Sequence, residues 1–353
     1  TYIDSAGYSI PITNPQTITL QNVTNQKINI SSNRVSGYLQ QFWKTETKDT
    51  ATITLTGGVR ANYWDFNNQF LIGPRGSLGF KPNWKKDWLF IFSSGIYYQP
   101  TFYRELRNID GTLNKNIKAQ KSMHFILSRD YIFKMWNRPF KFISEVYYKH
   151  LDRMVPYVVD NVRIRYLADN TAQGYATGID ARVNGEFIEG VESWFNMSIM
   201  QTKERLYYQD ENGQEQLSDW LKRPTDQRVN FSILFQDELP SNPSYKMNLG
   251  LVFGSAMPFY YDAENRQKVG FTIPAYRRVD IGFSKVLIDA KSESRPMWLR
   301  NTESLWMSLE IFNLLQVNNT SSYILVKDFA NTVYGVPNYL TGRRLNLRFI
   351  LKI

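Results

Sequence analysis

Cysteine is absent from the 353 residues, and histidine is nearly so, with only His124 and His150. Without thiols there is no disulfide framework and no thiolate metal site, and two histidines are too few for most transition-metal centres. Long apolar runs are missing as well: no stretch approaches the roughly 18 uninterrupted apolar residues that a membrane-spanning helix requires. Helical membrane proteins are excluded. Basic clusters are lacking too. Lys and Arg outnumber Asp and Glu by 42 to 32, giving a net charge of +10, but they are scattered. This dispersed excess argues against a nucleic-acid partner. No basic and apolar leader opens the chain at Thr1, so it reads as mature, processed or truncated.

What is abundant is aromatic: 22 Phe, 22 Tyr and 9 Trp, or 15% of the chain, far above the content of a disordered segment. Apolar residues recur with a period of 2 almost throughout. In the last segment Leu345, Leu347, Phe349, Leu351 and Ile353 alternate with Arg344, Asn346, Arg348, Ile350 and Lys352. Val229, Phe231, Ile233 and Phe235 do the same, as do Tyr245, Met247, Leu249, Leu251 and Phe253. The pattern returns at 50–64, 74–82, 88–99, 139–150, 174–187, 193–203, 276–288 and 303–313, and more faintly at 33–45 and 121–134. These segments predict about thirteen antiparallel strands, longer than the usual 5–6 residues of soluble sheets and suited to tilted strands crossing an outer membrane.

The connections alternate in character. Turn formers mark short ones at Lys81-Pro82-Asn83, Trp136-Asn137-Arg138-Pro139, Asn184-Gly185-Glu186 and Pro240-Ser241-Asn242-Pro243. Long polar ones fall at 104–121, 151–173, 205–226, 257–275 and 318–340, while the connection at 289–302 is longer than its place in the alternation predicts. Short turns at one end and long loops at the other describe an up-and-down outer-membrane barrel. Aromatics near strand ends (Tyr63 and Trp64, Trp84 and Trp88, Tyr97 and Tyr98, Trp136, Tyr147 and Tyr148, Trp194, Tyr207 and Tyr208, Tyr245) predict interfacial girdles.

Several stretches resemble TonB-dependent outer-membrane receptors of the Bacteroidetes type. "YGVPNYLTGRRLNLRFILKI" is similar to their final loop and strand, and "EIFNLLQVNNTSSYILVKD" to the preceding strand and loop. "SGYLQQFW", "GVRANYWDFNNQFLIGPRGSLGFKPNW", "GIYYQPTFYREL", "EVYYKHLDRMVPYVVDNVRIRYLADNTAQGYATGIDARVNG" and "RPTDQRVNFSILFQDELP" resemble successive barrel segments, in the family's order, over residues 33–353. Members commonly end in an aromatic residue, whereas this chain ends in Ile353. The resemblance implies a barrel of about 22 strands filled by a plug domain. The chain then reads as a single partial domain, residues 1–353, holding about thirteen C-terminal strands without the plug. It also implies import of a scarce nutrient (siderophore, vitamin, oligosaccharide or peptide) with energy from the TonB complex, which would act through the missing N-terminal part. Expected partners are outer-membrane lipid and lipopolysaccharide, the nutrient, and a surface lipoprotein over the loops. No cofactor and no catalysis are expected.

On this assignment Arg60, Arg75, Lys81, Lys141, Glu145, Lys149, Asp180, Arg182, Arg228, Glu310, Arg344 and Arg348 face the lumen, where pairing across the wall accounts for charge. Aromatic and arginine side chains in the long loops are candidates for ligand contact, or for ordinary loop packing. They form three clusters: Tyr98, Gln99, Phe102, Tyr103 and Arg104; Tyr157, Arg163, Arg165 and Tyr166; Tyr334 and Tyr339. The run Asp210 to Gln214 has calcium-like oxygen spacing but reads first as a turn. Glu145 with Glu310, and His150, carry no signature of a catalytic pair or triad. Two other architectures suit the pattern less well. A passive porin of about 14 strands would need a further strand in 16–30, and a secreted β-sandwich adhesin or lectin would have polar outward faces.

Overall fold

Among the described residues thirteen long strands form where the two-residue alternation is strongest. They are β1 (Arg34–Glu46), β2 (Thr52–Trp64), β3 (Gln69–Lys81), β4 (Asp87–Gln99), β5 (Gln120–Met135), β6 (Arg138–Met154) and β7 (Ala172–Ile188). They continue as β8 (Val191–Gln209), β9 (Val229–Leu239), β10 (Asn242–Gly254), β11 (Tyr276–Ile288), β12 (Ser304–Phe312) and β13 (Arg344–Lys352). The computed structural model describes residues 2–3, 9–10, 27–108, 111–160, 163–188, 191–210, 212–239, 242–260, 270–289, 302–327 and 332–352. Each strand pairs antiparallel with its chain neighbours, so one up-and-down sheet runs from β1 to β13. All thirteen alternating segments fall on these strands.

Directly opposed residues share a face, and the register carries one apolar face across the sheet. Leu347 opposes Leu309, which opposes Phe283, which opposes Met247. Leu251 opposes Ile233, Ile233 opposes Phe195, and Phe195 opposes Val183. Farther along, Phe142 opposes Tyr131, which opposes Trp88, and Leu78 lies between Phe92 and Leu55. All twelve charged residues assigned above to the lumen alternate onto the opposite, polar face. Among the described residues β1 and β13 have no second long neighbour and are exposed along their whole length.

The short turns follow local chemistry. Met135 pairs with Arg138, and the two residues between them, Trp136 and Asn137, have φ of 53° and 62°, the two-residue geometry that suits right-handed strand twist. One expected turn is not there. Asn184, Gly185 and Glu186 lie inside β7, opposite Trp194, Ser193 and Glu192, and the ladder reaches Ile188–Val191 before the connection at 189–190. Gly185 is required by packing instead: a Cβ there would lie 2.4 Å from Cδ1 of Phe140, a ring 1% exposed.

The long connections also depart from bare loops. Tyr157–Asp160 pairs with Arg163–Tyr166, Met257–Tyr260 with Gly270–Ile273, and Thr320–Lys327 with Val333–Tyr339, while Glu215–Leu217 adds to β8. Backbone N–H and C=O groups need partners wherever a loop is covered, and hairpins supply them locally. The β2–β3 connection at this same end has only four residues, 65–68. Most of the 289–302 connection, and residues 16–26 of the extra strand a porin would need, lie outside the described residues.

The aromatic pattern is sharper than the sequence suggests. On the apolar face at the short-turn end, Trp88 stacks on Tyr131 at 4.2 Å, Tyr131 on Phe133 at 5.0 Å and Phe133 on Phe140 at 5.6 Å. Phe187 continues the belt from Phe140 at 5.0 Å and meets Phe235 at 6.4 Å. In the adjacent pairs Tyr63–Trp64, Tyr97–Tyr98 and Tyr147–Tyr148, only Tyr63, Tyr98 and Tyr148 alternate onto the apolar face. Trp64, Tyr97, Tyr147 and Trp194 belong to the polar face, because a two-residue period cannot turn two consecutive rings to one side.

Candidate ligand-binding site at the loop end of the sheet

Strands β5 to β8 run for 16–19 residues, beyond the roughly 9–11 that cross a bilayer when tilted. Their extra length supports a small core made by the connections. Trp64, on the polar face and 3% exposed, packs with Leu106, Ile117 and Val155, flanked by Ile30, Phe66, Leu113 and Tyr166. Amides tie the 100–119 connection to the 155–171 connection. Asn170 donates from Nδ2 to the carbonyls of Lys118 (3.0 Å) and Arg153 (2.8 Å) and accepts from the Lys118 N–H, while Asn114 donates to the Ala168 carbonyl (2.9 Å).

A single 3-10 turn, Tyr103–Leu106, places the first candidate cluster. The carboxylate of Glu105 accepts the Phe102 N–H at 2.9 Å, satisfying a donor at the turn's start. Burial pushes the Glu105 carboxyl above its ordinary value, opposed by that hydrogen bond and by the Arg104 charge. Phe102 and Tyr103 remain about half exposed. Arg34 reaches over the Trp64 ring at 4.0 Å and the Tyr103 ring at 5.6 Å, and donates to the Thr101 carbonyl at 2.8 Å.

The first and second clusters meet. The Arg104 guanidinium lies 5.2 Å from the Tyr166 ring and 5.8 Å from Phe102, and Tyr157 and Tyr166 have ring centroids 5.9 Å apart. Arg104, Arg107, Arg163 and Arg165 line one cavity of about 450 Å³ with Asn108, Ile164 and Tyr166. Tyr98 and Gln99 line a second, about 370 Å³, with Arg34, Arg60, Arg75 and Tyr97; Arg75 lies 4.9 Å over Tyr97. Tyr334 and Tyr339 join neither. They sit on the Thr320–Lys327/Val333–Tyr339 hairpin, which meets the Met257–Ile273 hairpin through Tyr323 against Phe259 (5.5 Å) and Phe271 (5.4 Å). Arg34 and Arg107 are additions that sequence reasoning does not single out: one begins a faint strand, and the other lies just past a quoted cluster.

Along the polar face many of the charges are paired, as expected for a structural role. Arg348 meets Glu310 at 2.7 Å, Lys141 meets Asp130 at 2.7 Å, Lys81 meets Asp87 at 2.7 Å and Arg228 meets Asp226 at 3.1 Å. Ser128 donates to Glu145 at 2.7 Å and Ser198 to Asp180 at 2.5 Å. Lys149 sits 4.9 Å over Tyr147. The Asp210 carboxylate is committed to its own turn, accepting the Asn212 N–H at 2.9 Å and the Gln214 N–H at 2.8 Å. Those N–H groups, Gln214 foremost, hold it below the usual carboxylate range, and Gly213 completes the turn with φ of 74°.

No protein-family model matches the sequence, and no curated protein matches it. Solved structures do. The outer membrane transporter YddB from Escherichia coli is 14% identical, with a TM-score of 0.59, over 90% of this chain and 45% of that one. The ferripyoverdine receptor of the outer membrane of Pseudomonas aeruginosa is 11% identical (TM-score 0.57, 90% and 38%), and the ferric yersiniabactin uptake receptor FyuA from Yersinia pestis 15% (0.55, 91% and 46%). The thirteen-stranded sheet shares its fold with part of those outer-membrane proteins. At these identities the likeness is one of fold, and the chain spans less than half the length of those three proteins.

Proposed function

We propose that this chain is the C-terminal part of the barrel of a TonB-dependent receptor. Its loop end binds a scarce nutrient outside the cell, and the complete protein imports it across the outer membrane without chemical change. The carrying observation is the division of one sheet into an apolar face and a charge-paired polar face, capped at one end by arginine- and aromatic-lined connections. In lipid an open edge leaves backbone groups unsatisfied, so β1 and β13 require further strands; we assign these, the plug and the TonB contact to the rest of the protein. The rings from Trp88 to Phe235 then lie at the periplasmic interface, and lipopolysaccharide meets the loop end.

Deleting the gene and measuring growth under iron, vitamin or carbohydrate limitation tests this reading. Growth on one scarce nutrient is expected to fall, to return with the gene, and to depend on the proton-motive force. Uptake that persists after the force is dissipated, with continuous conductance in planar bilayers, would support the passive porin instead.

A further inference from the structure

We infer that Arg129 is the phosphate anchor of a lipid site on the outward wall of the barrel, and that its occupant is a net anionic phospholipid of the periplasmic leaflet. The inference rests on the barrel orientation proposed above, not on the transport reading. Alternation places Arg129 on the apolar face of β5, between Leu127 and Tyr131, and it is exposed there. The residues directly opposite are Phe90 of β4 and Ser144 of β6. A cation facing hydrocarbon is costly unless it reaches headgroups or a counter-charge. The protein supplies no such counter-charge: the outward positions around it, from Phe92 and Val146 down to Trp88 and Phe142, carry no carboxylate. Asp130, next in the chain, alternates onto the lumen side, where it meets Lys141.

The side chain is aimed. Its guanidinium lies 5.7 Å from the Trp88 ring and 5.5 Å from the Phe142 ring, and both rings stand one row nearer the short turns than Phe90 and Ser144. The apolar stem therefore runs toward the periplasmic interface assigned above, as a snorkelling arginine does. Nε donates to Ser144 Oγ at 2.8 Å. With the two rings, that bond fixes the plane of the fork and leaves both terminal nitrogens for a pair of phosphate oxygens, and a donor ordered in advance lowers the cost of binding. The surrounding rings and Leu127 offer acyl chains an apolar wall, which selects a lipid over a free phosphate. Exposed Lys85 and Lys86 lie in the turn just before Trp88, and their charge favours a net negative headgroup over a zwitterionic one. The height of the site, near the turn end, selects a phospholipid of the periplasmic leaflet over lipopolysaccharide.

The test uses the complete gene product in detergent, with phosphatidylglycerol and phosphatidylcholine of identical chains and lipid A as probes, retention being read by native mass spectrometry. Wild type is expected to retain phosphatidylglycerol in preference to phosphatidylcholine. R129L should reduce that preference about tenfold, the usual effect of losing a charge-assisted bond, while heat-modifiable gel mobility stays intact because leucine suits a lipid-facing position. R129K, which keeps the charge but not the fork, should retain part of the preference, and K121A, at the loop end of the same strand, all of it. No preference in wild type, an equal preference in R129L, an equal loss in K121A, or a stronger hold on lipid A that R129L removes would each overturn the inference. A protein that shows the preference but proves to be a passive channel keeps the site and loses the receptor reading. Energised uptake by a protein without any lipid preference does the reverse.

Discussion

At the scale of residues, the polar face and the loop end are governed by which atom fills which space. Gly185 sits where Phe140 leaves no room for a Cβ, so Gly185→Ala should destabilise the barrel by about 1–3 kcal/mol, the usual cost of overpacking. Thermal loss of heat-modifiable mobility measures it, with Gly213→Ala at the exposed 210–214 turn as a milder comparison. Glu105 offers a pH test. Its carboxyl is raised by burial, so below the ordinary carboxylate value it is protonated in both folded and unfolded chains and costs nothing. As pH rises from that ordinary value to the raised one, the unfolded chain ionises first, and the turn loses stability. Glu105→Gln removes this dependence: amide exchange of 103–106, normalised to intrinsic rates, should be slower than wild type at neutral pH and equal to it in acid. A pH-independent difference would refute the assignment. Neither effect is legible in the sequence, where Gly185 reads as a turn and Glu105 as one more charged loop residue.

At the scale of elements, strand position and strand face are both carried by the two-residue period. All thirteen long strands coincide with alternating segments because side-chain alternation is a local property of extended chain. Ile233 and Ser232 are neighbours on β9 with opposite faces, Ile233 opposing Leu251 and Ser232 opposing Val252. Ile233→Arg should cost about 2–4 kcal/mol of folding stability in lipid and Ser232→Arg little, since a cation is penalised only on the lipid face. Urea unfolding in vesicles compares the two; equal costs would contradict the assigned faces. Two of the hairpins within the long connections, 157–166 and 257–273, escape this reasoning, because their strands have four residues each, too few for a period to register.

At the scale of the molecule, the open edges dominate. Among the described residues β1 and β13 have no second long neighbour and are exposed on both faces, and unpaired edges invite pairing with other chains. Residues 1–353 alone in detergent should therefore form mixed oligomers in sedimentation velocity. A single monomeric species would show that the two edges close on each other, or are otherwise satisfied, without added strands.

The sequence alone determined the all-β class, the number and approximate limits of the long strands, and the polar and apolar sides of each, because all three follow from local alternation and turn chemistry. It also marked the residues of the first two loop clusters. Only the tertiary structure decided that Arg104 and Arg107 meet Arg163 and Arg165 in one cavity, that Tyr334 and Tyr339 stand apart, and that Trp64 anchors the loops to the polar face. Those contacts join residues far apart in the chain, and their positions depend on the packing of whole connections rather than on any short pattern.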